Sequence, residues 1–396
     1  MKILIVSSYL PFPLHSGGHI RLYNLIKNLS KNHVITLICE KRDYQTEEDV
    51  KSLEKICKKV ITVPRRKQWS LGNIIKTGFS TDPFLLVGHK SEEMKLAIKD
   101  ELVREVYDLI HVETFYVFQN LPKVSVPVVL VEHNVEYLVY KRYLDLASPI
   151  LKPLLYIDVM KIKNKEKIAW KKADKLVAVS NLEKKIIKRP DTVIVPNGVD
   201  TEEFKFRSFQ EIPFEKRILF IGNFKWIQNK DAVEFILKDI WPNILRKLEE
   251  LNKKLDVKLW IVGKNIPSDI KDLSKGKSII LDENNKEDTP QIFKKAYVLL
   301  APLRVGGGTS YKILEAMASG AAVVTTHLGT EGLEAKNNVH VLASEDSFEL
   351  ANQVCDFLID HSLYRRLTIN ARKLVEEKYD WKVISQKLEE VYMSSL

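Results

Sequence analysis

The sequence predicts an α/β protein built from two doubly wound domains, and three observations carry that prediction. Short β-rich apolar runs alternate with longer helical patterns from the first residue onward, as parallel strands covered by helices on both faces require. The alternation stops at a turn-forming cluster, Pro196-Asn197-Gly198-Val199-Asp200, followed by a polar stretch to Glu215 without a clear period, and then restarts. With 396 residues, 45% of them hydrophobic, the chain is long enough for two substantial cores.

In the first domain, residues 1–200, the strand candidates are 2–7, 33–38, 60–63, 108–112, 127–131, 175–179 and 192–195, most of them apolar on both faces. The opening run is too short for a signal peptide and enters a Pro/Gly loop without a cleavage pattern, so it reads as the first buried strand. Gly17 and Gly18 then precede Ile20, Leu22, Leu25, Ile26 and Leu29, which places a glycine loop at the start of a helix. In the second domain, residues 201–378, strands are expected at 217–221, 257–262, 278–281, 297–301, 321–325 and 339–342, with a helix near 229–251. The tail, 379–396, carries Trp381, Val383, Ile384, Leu388 and Val391 at roughly helical spacing. The apolar stretch 144–162 is broken by Asp145, Lys152, Asp158 and Lys161, so no transmembrane span is expected.

Lys and Arg number 62 against 52 Asp and Glu, a net charge of +10 that favours anionic partners: nucleotides, sugar diphosphates, acidic lipid or nucleic acid. Aromatic residues are not interleaved with the basic clusters as a base-stacking platform needs, so nucleic acid is a remote reading. Cys39, Cys57 and Cys355 are an odd number, far apart and without C-x-x-C spacing, which indicates neither a disulfide framework nor a thiolate zinc site and fits a reducing, cytoplasmic compartment. His111, Glu113, Glu132, His133 and Glu136 do not form a spacing such as H-E-x-x-H, so no metal site is expected.

The most informative segment runs from Ala301 through Arg304, Val305, Gly306, Gly307, Gly308, Thr309 and Ser310 into a helical pattern from Tyr311. A buried strand ends, three glycines let the backbone approach a ligand, Thr309 or Ser310 can cap, and a helix begins. Free backbone N–H groups and the positive helix end would point at phosphate, with Arg304 and Lys312 adding full charges. The plain alternative is a tight turn flanked by solvated basic residues. Glu315, in the second turn, lies too deep to cap; its carboxylate can accept two hydroxyl hydrogen bonds, as a ribose diol supplies, or can simply face solvent. In the first domain, His133 follows the apolar run 127–131 closely and so belongs at a strand's carboxyl end, where such sheets bind ligands.

Five segments in register resemble one family: Ser16-Gly17-Gly18, Val131-Glu132-His133-Asn134-Val135-Glu136, Ala173-Asp174-Lys175-Leu176-Val177-Ala178-Val179-Ser180, Pro196-Asn197-Gly198-Val199-Asp200 and Leu314-Glu315-Ala316-Met317-Ala318-Ser319-Gly320. Together they look like the retaining GT-B glycosyltransferases of the family 4 type, across nearly the whole chain. The resemblance implies two Rossmann-like domains facing a central cleft, the first binding acceptor, the second binding a nucleotide diphosphate sugar, with the C-terminal helix returning to the first domain. It implies metal-independent transfer of a sugar to a glycan or lipid-linked acceptor, in cell-surface polysaccharide or glycolipid biosynthesis. By resemblance His133 sits beside the reacting sugar, chiefly positioning donor and acceptor, Glu315 holds the donor ribose, and Gly17 and Gly18 join Gly306, Gly307, Gly308 and Thr309 around the diphosphate.

Two departures stand out. The family's signature has two acids separated by seven residues; the second matches Glu315, while the first position holds Gly307. The family's diphosphate-clamping Arg and Lys fall at Asn223 and Gln228, so Lys225, Arg304 and Lys312 are the candidates to supply the missing charge. The absent acid favours a second reading, a GT-B nucleotide-sugar epimerase or an inactive scaffold. Two basic stretches, 55–69 and 151–172, make an anionic membrane surface a further candidate partner, with a peripheral location at the inner face of the cell membrane; a core-facing helix with a solvated basic face is the alternative.

Overall fold

The computed structural model describes residues 1–211, 215–251, 255–283, 285–306 and 308–396. The chain divides into two compact units: Met1–Pro196 together with Ile384–Leu396, and Asn197–Val383.

The first unit is built on a seven-stranded sheet: β1 (Lys2–Ser7), β2 (Val34–Lys41), β3 (Lys59–Pro64), β4 (Leu109–Glu113), β5 (Val128–Glu132), β6 (Lys175–Ala178) and β7 (Val193–Ile194). Their order is β3-β2-β1-β4-β5-β6-β7, and every pairing is parallel, with Ile5 opposite both Leu37 and His111. Ile3 to Val6 are fully enclosed, because helices cover both faces and leave no side of the strand for polar residues. From the tail, Leu388, Val391 and Tyr392 are buried, and a Glu389 carboxylate oxygen lies 2.9 Å from Nε2 of His33.

The second unit repeats the design with six strands: β8 (Lys216–Asn223), β9 (Val257–Lys264), β10 (Ile279–Asp282), β11 (Ala296–Ala301), β12 (Ala322–Thr325) and β13 (Leu342–Ala343). The order is β10-β9-β8-β11-β12-β13, again all parallel. In each sheet the winding direction reverses once, between β1 and β4 and between β8 and β11. Those switch points are where loops leaving the carboxyl ends of neighbouring strands part to opposite faces and open a crevice.

Two elements differ from expectation. The single helix expected near 229–251 is instead Ile227–Phe235, a π-helical turn Ile236–Ile240 and a second helix Trp241–Glu250. Pro242 has no N–H to donate to the preceding turn, so the hydrogen-bond pattern widens ahead of it. The strand expected at 339–342 is confined to Leu342–Ala343, because Asn338 takes a left-handed φ of 59° and the chain turns before it can pair. The three cysteines are buried and free.

Candidate active site

In the first unit the polar groups gather where β1, β4 and β5 end. Ser16 caps the helix Gly17–Leu29, its hydroxyl accepting from the His19 N–H at 3.5 Å. Gly17 and Gly18 therefore form the first helical turn and not the loop before it. Gly18 is closely approached: a Cβ there would sit 3.2 Å from the Tyr9 hydroxyl oxygen and 3.6 Å from Cε1 of His133. The first helical turn thus lies against the imidazole that leaves β5.

Glu113, the last residue of β4, organises that imidazole. Its Oε1 bonds Nε2 of His133 at 2.5 Å, its Oε2 bonds Nε2 of His111 at 2.6 Å, and Nδ1 of His111 meets the Tyr392 hydroxyl at 2.5 Å. The Arg21 Nε lies 3.9 Å from Oε1, while the guanidinium donates to the carbonyls of Val195 and Pro196. Burial alone would raise the Glu113 carboxyl, but the charge of His133 and the hydrogen bonds from both imidazoles outweigh it and hold the group well below the usual carboxylate range. An ionised carboxylate only accepts, so both Nε2 atoms carry protons. Nδ1 is then the ring nitrogen of His133 left to face a ligand, on a side chain still 17% exposed, while Glu113 is wholly enclosed. The next residue, Thr114, is β-branched yet held at φ 70°, a strained backbone at the end of β4.

Glu132 and Glu136, which flank His133 in sequence, do different work. Glu132 accepts from the Trp170 indole at 2.9 Å, and burial pushes its carboxyl well up. Glu166 accepts from the N–H groups of Glu136 and Tyr137, capping from outside a helix, Glu136–Leu146, that has no side-chain cap of its own.

In the second unit β11 runs into the glycine segment as expected. Gly306 and Gly308 adopt φ of 121° and 80°, conformations that side chains resist, and nothing lies within 4 Å of a Cβ built on Gly308. Backbone conformation, and not crowding, calls for glycine there; Gly307 lies outside the described residues. The helix Tyr311–Ser319 begins at Ser310, yet neither predicted cap operates: Ser310 makes no side-chain cap bond, and the buried Thr309 hydroxyl has no hydrogen-bond partner among the described residues. A helix N-terminus left without a side-chain cap beside an unsatisfied hydroxyl is suited to receive an anion.

Beneath the loop, Lys312 and Glu315 are both half-buried on that helix. Lys312 donates to Oδ1 of Asn229 at 2.8 Å and lies 4.4 Å over the Phe220 ring, while Asn229 donates to the Asn223 carbonyl at 2.8 Å. These contacts tie the end of β8 to the glycine-loop helix. Burial pulls Lys312 down to about 7 against the opposing charge of Glu315. Burial likewise pushes Glu315 up to about 7, opposed by Lys312. No described residue hydrogen-bonds the Glu315 carboxylate.

The candidate cations differ in availability. Arg304 is engaged by both oxygens of Asp231, at 2.8 and 3.1 Å, and stacks 4.1 Å from the Phe235 ring. Lys225 is exposed, and its ammonium pairs with no described residue. Asn223 spends its side-chain oxygen on the Lys225 N–H and the Asn265 amide, and Gln228 lies beside Gly306. Sequence reasoning missed Glu113, Arg21, His111 and Tyr392 on one side and Asn229 and Asp231 on the other. An acid ending an apolar strand was a usable signal for Glu113; the others become visible only through their partners.

Two all-parallel, doubly wound units of like strand order in one chain, each carrying polar groups at its switch point, define the GT-B class of glycosyltransferases. Residues 15–203 match the family model described as Glycosyltransferase Family 4, and residues 215–360 match that described as Glycosyl transferases group 1; the chain belongs to this family of transferases. A Klebsiella pneumoniae relative, an uncharacterized 44.6 kDa protein in the cps region, is 24% identical over 97% of both chains. Among solved structures, sucrose-phosphate synthase from Thermosynechococcus elongatus superposes with a TM-score of 0.71 at 16% identity, over 100% of this chain and 99% of that one. Anabaena HepE in complex with UDP-glucose gives 0.64 at 16%, over 100% of both chains. A Rickettsia africae glycosyltransferase gives 0.65 at 16%, over 99% of this chain and 98% of that one. At such identities these likenesses establish the fold. No helix among the described residues is long and apolar enough to cross a membrane.

Proposed function

We propose that the protein transfers a sugar, with retention of anomeric configuration, from a nucleoside diphosphate donor to a glycan or lipid-linked acceptor in cell-surface polysaccharide or glycolipid assembly. The carrying observation is the end of β11: positive-φ glycines, a helix N-terminus without a side-chain cap and, among the described residues, no hydrogen-bond partner for the Thr309 hydroxyl or, one turn further, the Glu315 carboxylate. The first three suit a diphosphate and the last suits a ribose diol. The UDP and UDP-glucose complexes of Anabaena HepE and the cps-region setting of the Klebsiella relative support the reading.

In this reading His133 accepts a hydrogen bond through Nδ1 from the donor sugar or the acceptor, and Glu113 fixes the ring in that tautomer. The leaving phosphate takes the acceptor proton, since retention brings the acceptor in on the leaving-group face. Leaving-group charge is met by the helix end, Lys225 and Lys312, without a divalent cation. Arg304 could join only by exchanging Asp231 for phosphate.

The test is a panel of UDP-, GDP- and other nucleotide sugars with EDTA present, followed by NMR of the product anomer. Transfer with retained configuration is expected. Binding of a nucleotide sugar without transfer or hydrolysis would turn the reading toward a scaffold, and isomerised donor toward an epimerase, the reading that Gly307 in place of the family's acid favours.

A further inference from the structure

The helix Leu71–Phe79 in the first unit is amphipathic in the wrong sense for a soluble surface. Its polar residues Asn73 and Thr77 are half-buried: Asn73 donates to the carbonyls of Lys67 and Gln68 at 3.0 and 2.9 Å, and the Thr77 carbonyl accepts from Lys161 at 2.7 Å. Leu71, Ile74, Ile75 and Phe79, one stripe at i, i+3, i+4 and i+8, face outward instead, Leu71 80% and Phe79 92% exposed. No residue of this helix is buried. The Lys161 bond joins it to the helix Lys152–Lys172, whose beginning is exposed in the same way: Ile150 is 89% exposed, and Leu151, Leu154 and Ile157 are each more than half exposed. An apolar surface of this extent on a folded unit calls for a partner.

Charge selects the partner. Residues 66–81 and 147–165 contain Arg66, Lys67, Lys76, Lys152, Lys161, Lys163 and Lys165 against one acid, Asp158, which points inward to accept from the Phe84 N–H; just outside them, Glu93 pairs with Arg66 and Asp82 with Lys165. The ammonium groups of Lys67, Lys76 and Lys152 pair with no described residue. With Glu93 and Asp82 already engaged by Arg66 and Lys165, a second copy laid on this surface would set these three lysines against their own counterparts. Phosphate headgroups above acyl chains satisfy both the lysines and the stripe.

We propose that the Leu71–Phe79 helix and the start of the Lys152–Lys172 helix form a docking surface for an anionic phospholipid bilayer, the apolar stripe entering the interface and the lysines meeting headgroups. Docking is independent of which donor the protein uses.

The experiment is flotation of the full chain with vesicles of phosphatidylglycerol and phosphatidylcholine, against phosphatidylcholine alone, with sedimentation velocity on the same samples. Binding about tenfold tighter to the anionic vesicles, weakened by salt, is expected. Ile75→Glu with Phe79→Glu should reduce it about tenfold at unchanged Tm, since neither side chain is buried. Equal binding to both vesicle types, or unchanged binding by the double variant, overturns the proposal. So does a dimer that the double variant dissociates, because the stripe would then belong to a second copy.

Discussion

The two switch points are built alike and furnished in opposite ways. At the end of β4 the buried carboxylate and imidazoles find partners within the unit: Glu113 is held by two imidazoles with Arg21 nearby, and Tyr392 completes the row. At the end of β11 neither the Thr309 hydroxyl nor the Glu315 carboxylate has a hydrogen-bond partner among the described residues, and the helix starts without a side-chain cap. A satisfied network fixes one side chain's orientation before any ligand arrives, as a positioning group needs. Unsatisfied groups carry a cost that a ligand relieves, as a binding site needs. Substitutions in the first place should therefore act on stability and turnover, and in the second on affinity.

The largest effect is expected at Glu113. In Glu113→Gln the amide can accept from one imidazole but sets a donor against the other, and Arg21 loses its counter-charge. Breaking one partner of a buried ionic group costs about 3 kcal/mol, readable by urea denaturation. The pH dependence has a fixed sign. A carboxyl held below its ordinary value contributes stability above the usual carboxylate range and forfeits it as pH falls toward its native value. The parent should lose stability in acid more steeply than the variant.

His133→Ala comes next and divides fold from function. Glu113 keeps His111 but loses the bond to its Oε1, so stability should fall by less than in Glu113→Gln, while transfer should fall by about 10²-fold. Unfolding in step with the loss of transfer would make His133 a structural histidine.

Much of this was legible in the chain and some was not. Buried parallel strands must be apolar on both faces, so the runs at 2–7, 127–131 and 297–301 announced β1, β5 and β11. Positive φ calls for glycine, so Gly306 and Gly308 announced their loop, and a histidine just past a strand announced its own place. The partners were hidden because they come from elsewhere: His111 and Tyr392 are 281 residues apart, and Arg304 and Asp231 are 73 apart. No local pattern distinguishes an arginine aimed at phosphate from one paired across a unit. The Leu71–Phe79 helix shows the same limit from another side, since a stripe at helical spacing gives the width of an apolar face and not its direction.

In the second unit a smaller, opposite signature is expected. Glu315→Gln should weaken UDP binding about tenfold by calorimetry, the loss of a charged acceptor for the ribose diol, without lowering Tm, because burial already disfavours its charge. The Lys312 and Glu315 pair also sets a pH course. A carboxyl raised to about 7 stabilises below the ordinary carboxylate value and loses that contribution as pH rises toward 7. A lysine lowered to about 7 gives the mirror image, its contribution growing as pH rises from 7 toward the ordinary lysine value. The Tm of the parent minus that of Lys312→Met with Glu315→Gln should therefore pass through a minimum near neutral pH, and saturating UDP should make it shallower. A flat difference would place both groups in water.

The smallest effect is expected at Tyr392, and it tests whether the first site depends on the tail. Tyr392→Phe removes one hydroxyl donor from Nδ1 of His111 and leaves the ring packed, so the cost in stability should be about 1 kcal/mol, near the value of a single buried hydrogen bond. The consequence for the site follows through protons. With its Nδ1 acceptor unanswered, His111 is freer to turn, and its hold on Glu113 loosens, so the carboxylate competes differently for His133. The pH profile of transfer should then shift in Tyr392→Phe while the Michaelis constant for donor stays fixed, since no donor group is touched. A loss of stability with an unmoved profile would leave Tyr392 as packing alone and confine the organised network to His111, Glu113 and His133.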